Sequence, residues 1–218
     1  MKGLFVTGTD TGVGKTVAAA ALLHRYRGVA PVRYWKPIQT GIEIDDDTTT
    51  VRRLGACSEE EIFAQGVRLP KPVSPHLAAR WAQQCIDLTA LRGLLPDDGT
   101  SSIVEGAGGV LVPVNEAQTM ADWMVHLELS VLVVARSGLG TINHTLLTLE
   151  ALNTRHLRVA GVMMIGEPNA DNRAAIEQYG HVPVIAEMPF LVPLDPGLLA
   201  AWSVTHLDTQ GRLLEWLR

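Results

Sequence analysis

The residues with the plainest chemical purpose lie near the N-terminus, in Gly8-Thr9-Asp10-Thr11-Gly12-Val13-Gly14-Lys15-Thr16. Glycines at these spacings let backbone N–H groups close around phosphate oxygens. The helix-forming run Val17-Ala18-Ala19-Ala20-Ala21-Leu22-Leu23 then turns the positive end of a helix toward the same point. Lys15 is placed to reach terminal phosphates, and the Thr16 hydroxyl to ligate magnesium. Five residues, not four, separate Gly8 from Gly14, and Thr9 stands where the shorter pattern has glycine. The Gly-x-Gly-Lys-Thr core is intact, so the stretch reads as a variant phosphate-binding loop.

Three further stretches carry charge that such a loop can use. Lys36 opens Lys36-Pro37-Ile38-Gln39-Thr40-Gly41 at the end of an apolar run, where a second cation would stabilise charge developing during phosphoryl transfer. The acidic run Asp45-Asp46-Asp47 follows. Asp47 suits a helix N-cap, and Asp45 and Asp46 read as solvated. Ile103-Val104-Glu105-Gly106-Ala107-Gly108-Gly109 ends a hydrophobic strand in one carboxylate, the pattern of an acid that completes magnesium coordination beside the loop threonine.

Weaker signals surround these. Ser74 reads as the N-cap of a helix begun by Pro75, and His76 as structural. Ser137-Gly138-Leu139-Gly140-Thr141-Ile142-Asn143-His144 is a glycine-bearing loop with a Thr cap opening a helix. Glu187-Met188-Pro189-Phe190-Leu191 is placed to flank a base. Met120, Trp123, Met124 and Leu127 recur at helical spacing and make a core face. Asp208–Leu217 reads as a capped amphipathic helix with Leu213, Leu214 and Leu217 packed inward.

The elements that must position these residues alternate. Strand-like runs fall at 4–7, 32–35, 102–104, 130–135, 159–165 and 182–185, with helices expected at 15–27, 76–84, 119–127, 142–155 and 169–179. Near-continuous apolar strands alternating with helices imply an α/β fold: a parallel, or mostly parallel, sheet of the P-loop NTPase kind with helices on both faces. Ligands on such sheets bind beyond the carboxyl ends of the strands. With 218 residues, 47% hydrophobic and 19% charged, the chain is expected to form a single domain over 1–218. A net charge of −5 gives no electrostatic footprint for nucleic acid or anionic membrane. Two cysteines, Cys57 and Cys85, lack metal-ligand spacing, and no signal peptide or spanning run is evident. A cytoplasmic protein is expected.

Taken together, Gly8–Thr16, Lys36–Gly41, Val73-Ser74-Pro75-His76, Glu105–Gly109 and Gly140–His144 resemble dethiobiotin synthetase, in the right order and over nearly the whole chain. That family also carries the extra loop residue. The resemblance implies ATP- and Mg²⁺-dependent closure of a cyclic urea on diaminopelargonate with CO2, through a carbamate and a carbamic–phosphoric anhydride, in a homodimer. It implies that Thr16, Asp47 and Glu105 hold Mg²⁺, with Lys36 and Lys15 catalytic. The nucleotide would meet Thr11, Gly12, Val13, Gly14, Lys15, Thr16 and Val17, then Glu105, Gly106, Ala107 and Gly108. Ile165, Gly166, Pro189, Phe190 and Leu191 would lie about the adenine. Substrate would meet Lys36, Thr40, Ser74, Gly109 and Asn143, the last reaching the partner subunit's substrate. Ile165-Gly166 replaces an Asn-Asp pair frequent in the family, and Thr40 stands where serine is common.

Three other readings share parts of this pattern. Partitioning-type ATPase switches carry a second lysine early in the loop, where this chain has Asp10. Cobyrinate-amidating enzymes add a glutaminase domain for which 218 residues leave no room. A binding module that keeps the fold without the chemistry has no use for both Lys36 and Glu105.

Overall fold

The computed structural model describes residues 2–218. In chain order the elements are β1 (Gly3–Gly8), α1 (Lys15–Tyr26), β2 (Val32–Trp35), β3 (Ile38–Thr40), α2 (Asp47–Leu54), β4 (Ile62–Phe63) and β5 (Val67–Leu69). Then come α3 (Pro75–Trp81), α4 (Leu88–Leu94), β6 (Ser101–Gly109), α5 (Met120–Leu127), β7 (Ser130–Arg136) and α6 (Thr141–Asn153). β8 (Val159–Ile165), α7 (Ala170–Gly180), β9 (Val184–Met188) and α8 (Pro196–His206) complete the order.

Seven strands form one sheet in the order β4-β2-β6-β1-β7-β8-β9, and every pairing in it is parallel. Alternation along β1 shows why both faces need cover. Leu4 and Val6 enter one buried cluster with α1, α2 and α8, while Phe5 enters the opposite cluster with α3 to α7. Ala18 to Ala21 are fully buried, and their small side chains let α1 lie close on the sheet. The face expected from Met120, Trp123, Met124 and Leu127 is buried in the second cluster.

Six of the seven strands were legible as apolar runs. The two-residue edge strand β4 was not, nor was the small parallel pair of β3 with β5 outside the main sheet. β6 runs to Gly109 rather than stopping near Val104, so Glu105 lies inside the strand, paired with Val6. α3 ends at Trp81, three residues before the expected end at 84. The C-terminal segment is a 3-10 turn, Arg212–Trp216, not an α-helix. Gly211 enters it at φ 67, and the buried Asp208 carboxylate accepts from the N–H groups of Arg212 at 2.9 Å and Leu213 at 2.8 Å. Leu213 and Leu217 are buried as expected, and Leu214 packs partly against them.

Candidate functional site

α1 begins without a side-chain cap and with no acidic residue in its first turn. Its N-cap, Gly14, adopts φ 98, a conformation that strains other residues. Uncapped N–H groups at a helix start make an anion site. A Cβ at Gly14 would also lie 2.6 Å from Ile165 Cδ1, and one at Gly8 2.7 Å from Val13 Cγ2. At Gly8 the Asp10 carbonyl oxygen, 2.9 Å from such a Cβ, leaves no space for a side chain, and at Gly14 the positive φ is the main constraint. Lys15 Nζ donates to Asp10 O at 2.9 Å, and Arg136 braces the loop from outside by donating to Thr11 O at 3.1 Å.

Beside the loop lies a compact charge cluster. Lys36, just past β2, is 3% exposed. Its Nζ lies 2.6 Å from Asp47 Oδ2 and 2.9 Å from Glu105 Oε1, and donates to Gly106 O at 2.9 Å. Thr16 Oγ1 lies 2.8 Å from Asp47 Oδ1 and 3.0 Å from Glu105 Oε1. The remaining Glu105 oxygen accepts from the Tyr34 hydroxyl at 2.8 Å. Lys36 and Tyr34 stand two residues apart at the end of one strand, so both reach Glu105 on the neighbouring β6.

Burial and charge oppose one another here. Burial alone would lower the Lys36 pKa, but Glu105 and Asp47 outweigh it and hold the ammonium above its ordinary value. Asp47 is likewise subject to an upward push from burial, yet Lys36 draws it below the usual carboxylate range. Glu105 goes the other way, raised by burial despite Lys36, so it takes up a proton before Asp47 as pH falls. Tyr34 is raised well above an ordinary phenol by burial and by Glu105. Lys15 is lowered to about 8, chiefly by burial and then by Lys36.

The N-cap of α2 is Asp46, whose Oδ1 accepts from Thr48 N at 2.9 Å. This corrects the assignment of that cap to Asp47 and frees the Asp47 carboxylate for the cluster. Thr16 Oγ1, Asp47 Oδ1 and Glu105 Oε1 form a set of hard oxygens gathered at hydrogen-bonding distance. Among the described residues no group of three or more His, Cys, Asp and Glu side chains forms. Two carboxylates and a hydroxyl suit Mg²⁺, which is commonly held by one or two carboxylates plus substrate phosphates.

These groups open on a cleft of about 680 Å³ lined by Thr11, Gly12, Gly14, Lys15, Thr16, Val17, Lys36, Gln39, Thr40, Asp47, Ser74, Glu105, Ala107 and Gly108, among others. Gly106 is not part of that wall. The Phe5 ring covers its α-carbon, and it contributes its carbonyl to Lys36 instead. Ser74 takes the N-cap position of α3 without a capping bond, because its hydroxyl pairs with His76 Nδ1 at 3.0 Å. Thr141 is the first residue of α6 rather than its cap; Gly140 is the N-cap.

A second cavity of about 490 Å³ adjoins the loop, lined by Gly12, Val13, Gly14, Val17, Arg136, Ser137, Gly138, Leu139, Ile165, Gly166, Glu167, Met188, Pro189, Phe190, Leu191 and Leu194. Its walls are mainly apolar, as a base pocket requires. A third groove of about 530 Å³ takes in Gly109, Leu111, His144 and Leu147. Gly109 and the exposed Asn143 thus stand outside the central cleft. Tyr34, Gln39, Arg136, Ser137 and Leu194 had no assigned role in the sequence. Tyr34 lay hidden in an apolar run, where only its two-residue spacing from Lys36 marks a shared face.

A family model described as an AAA domain matches residues 2–197. The chain is similar to the ATP-dependent dethiobiotin synthetase BioD of Paramagnetospirillum magneticum, 50% identical over 188 residues, covering 86% of this chain and 88% of that one. Similarity to BioD of Bradyrhizobium diazoefficiens is 43% over 201 residues, 92% of each chain. The biotin biosynthesis bifunctional protein BioCD of Bordetella avium is 46% identical over 214 residues, and the match covers 98% of this chain but 44% of that longer protein. Among solved structures, a MinC:MinD cell division protein complex of Aquifex aeolicus aligns with TM-score 0.61 at 15% identity, covering 99% of this chain and 96% of that one. A ParA family ATPase of Chlorobium tepidum aligns with TM-score 0.52 at 12% identity, covering 100% and 91%. At such identities the likeness is one of fold alone.

Proposed function

The chain belongs to the dethiobiotin synthetase family, and on that premise we propose that it closes a cyclic urea on diaminopelargonate, using CO2 and ATP. One amine of the substrate captures CO2 as a carbamate. A carbamate oxygen attacks the γ-phosphoryl group, releasing ADP and leaving a carbamic–phosphoric anhydride. The second amine attacks the anhydride carbon, phosphate departs, and the ring closes.

An anion attacking an anion requires concentrated positive charge. The observation that carries the reading is the Lys36 ammonium, buried at a strand end and held by Asp47 and Glu105 in the cleft that also contains Lys15. Lys15 would neutralise the terminal phosphates, and Lys36 the carbamate. Thr16, Asp47 and Glu105 would hold Mg²⁺, which when bound supplies further charge neutralisation at the β- and γ-phosphates. Thr40 and Ser74 would orient the substrate. The apolar cavity from Val13 to Leu194 would take the adenine, with Ile165 and Phe190 on its walls. Gly109 and Asn143, outside the central cleft, would contact substrate across a homodimer interface. A switch ATPase fits less well, since Asp10 occupies the early loop position and the second lysine comes from another strand.

The test is product formation. ADP and phosphate are expected from ATP only when the diamine and bicarbonate are both supplied. Brisk hydrolysis without the diamine would overturn the synthetase reading in favour of a switch.

A further inference from the structure

Several buried side-chain polar atoms have no hydrogen-bond partner among the described residues: Thr7 Oγ1, Gln39 Oε1, Thr48 Oγ1, Trp123 Nε1, Ser130 Oγ and Thr145 Oγ1. Only Gln39 belongs to the wall of the central cleft. The residue is 4% exposed, and it shares the wall with Lys36 and Thr40. Its Nε2 donates to Thr40 O at 2.9 Å, which fixes the sense of the amide, since the reverse would set two oxygens together. The orphan is therefore an acceptor. An unpaired buried acceptor costs stability comparable to a lost hydrogen bond, so its retention beside a binding cleft points to a donor that arrives with the ligand.

We propose that Gln39 Oε1 accepts an N–H from the substrate amine that captures CO2, making Gln39 a substrate-binding residue that orients the nucleophile. This rests on the reaction set out above. The amine must be neutral to attack carbon, and a neutral amine still has N–H bonds to donate. A carboxylate acceptor would favour the ammonium form and disarm it, whereas an amide accepts the hydrogen bond without holding the proton. The buried Glu105 and the partly buried Asp47 are both engaged by Lys36 and Thr16. Gln39 supplies the uncharged acceptor that this step needs.

Two variants test the role, each compared with wild type for melting temperature, ADP affinity, KM for the diamine and the pH profile of kcat. Gln39→Leu is expected to keep its melting temperature and ADP affinity while KM for the diamine rises roughly 10- to 100-fold. Gln39→Glu is expected to retain diamine binding, with its rate profile displaced to higher pH because the carboxylate holds the bound amine protonated. An unchanged diamine KM in Gln39→Leu, or an undisplaced profile in Gln39→Glu, would overturn the role of Gln39 alone. A wild-type chain that neither binds the diamine nor turns over with it would overturn the reaction, and this inference with it.

Discussion

Replacing Lys36 by methionine separates what the buried cluster does for the fold from what it does for chemistry. The substitution keeps side-chain length and removes the charge. Glu105, 1% exposed, and Asp47, 20% exposed at the side chain, then lose the ammonium at 2.9 and 2.6 Å. Breaking a buried ion pair by removing one partner costs about 3–5 kcal/mol. For a chain of this size each kcal/mol moves the melting temperature by about 2–4 °C, so the variant should melt roughly 6–20 °C below wild type near pH 8. Glu105, already raised by burial, would rise further without Lys36. An acid whose folded-state pKa lies above its unfolded value gives stability that is complete below the unfolded pKa and lost as pH rises through the folded one. The deficit of Lys36→Met should therefore be largest in alkaline buffer and shrink as pH falls toward about 5. Adding Glu105→Gln removes the orphaned charge, and the double variant should regain much of the loss, since replacing both partners is often near neutral. Turnover should stay depressed by two or more orders of magnitude in both. Calorimetric melting from pH 5 to 8, run beside the ADP-release assay, reads each quantity. A single variant within about two degrees of wild type across that range would refute the buried-pair account.

Three further outcomes follow from the same geometry. Glu105→Gln alone leaves Thr16 and Asp47 as oxygen donors, so the Mg²⁺ concentration for half-maximal activity should rise at least about tenfold; an unchanged metal titration would remove Glu105 from that role. Gly14→Ala meets both a positive φ and Ile165 at 2.6 Å, and should abolish detectable fluorescent-ADP binding while the protein stays folded by circular dichroism; normal ADP affinity would contradict the close packing of the loop. Lys15, lowered to about 8 by burial and by Lys36, is charged below that pH and neutral above it. ATP affinity should thus be flat below pH 8 and fall as pH rises beyond it, with proton uptake on binding visible by calorimetry in buffers of different ionisation enthalpy; an affinity flat to pH 10 would contradict the shift.

How much of this is legible in the sequence depends on how local the physics is. The phosphate-binding loop is legible because its glycines, Lys15 and Thr16 act within one strand–turn–helix unit. Lys36 and Glu105 were legible because each closes or interrupts an apolar run. The aspartates show the limit. Asp46 and Asp47 are adjacent and chemically alike, and only the backbone turn at the start of α2 decides which one caps and which one faces Thr16. The β3–β5 pair is not legible in the sequence because three-residue strands widely separated along the chain carry no periodicity. The C-terminal 3-10 turn depends on Asp208 bonding to Tyr26 at 2.5 Å as well as to its own turn, and a contact across the chain leaves no trace in local pattern.

The division of labour between sheet and loops explains why one part of the site tolerates an unusual spelling and another does not. Tyr34, Lys36 and Glu105 are set by β2 and β6, whose register pairs Trp35 with Val104, while β1 pairs Val6 with Glu105. A displacement of any one of these strands would separate an ammonium from two carboxylates in a region of low dielectric, where the cost is greatest. The cavity proposed for the base is assembled from the loop before α1 and from the segments at the ends of β7, β8 and β9, and its lining is mainly apolar. A pocket of that kind discriminates weakly between ligands of similar shape, so Ile165-Gly166 can stand in place of an amide–acid pair without disturbing the charged centre. Ile165 also packs against Gly14, and its Cδ1 would lie 2.6 Å from a Cβ there. The residue that departs from the frequent family pattern thus helps fix the shape of the loop that binds phosphate.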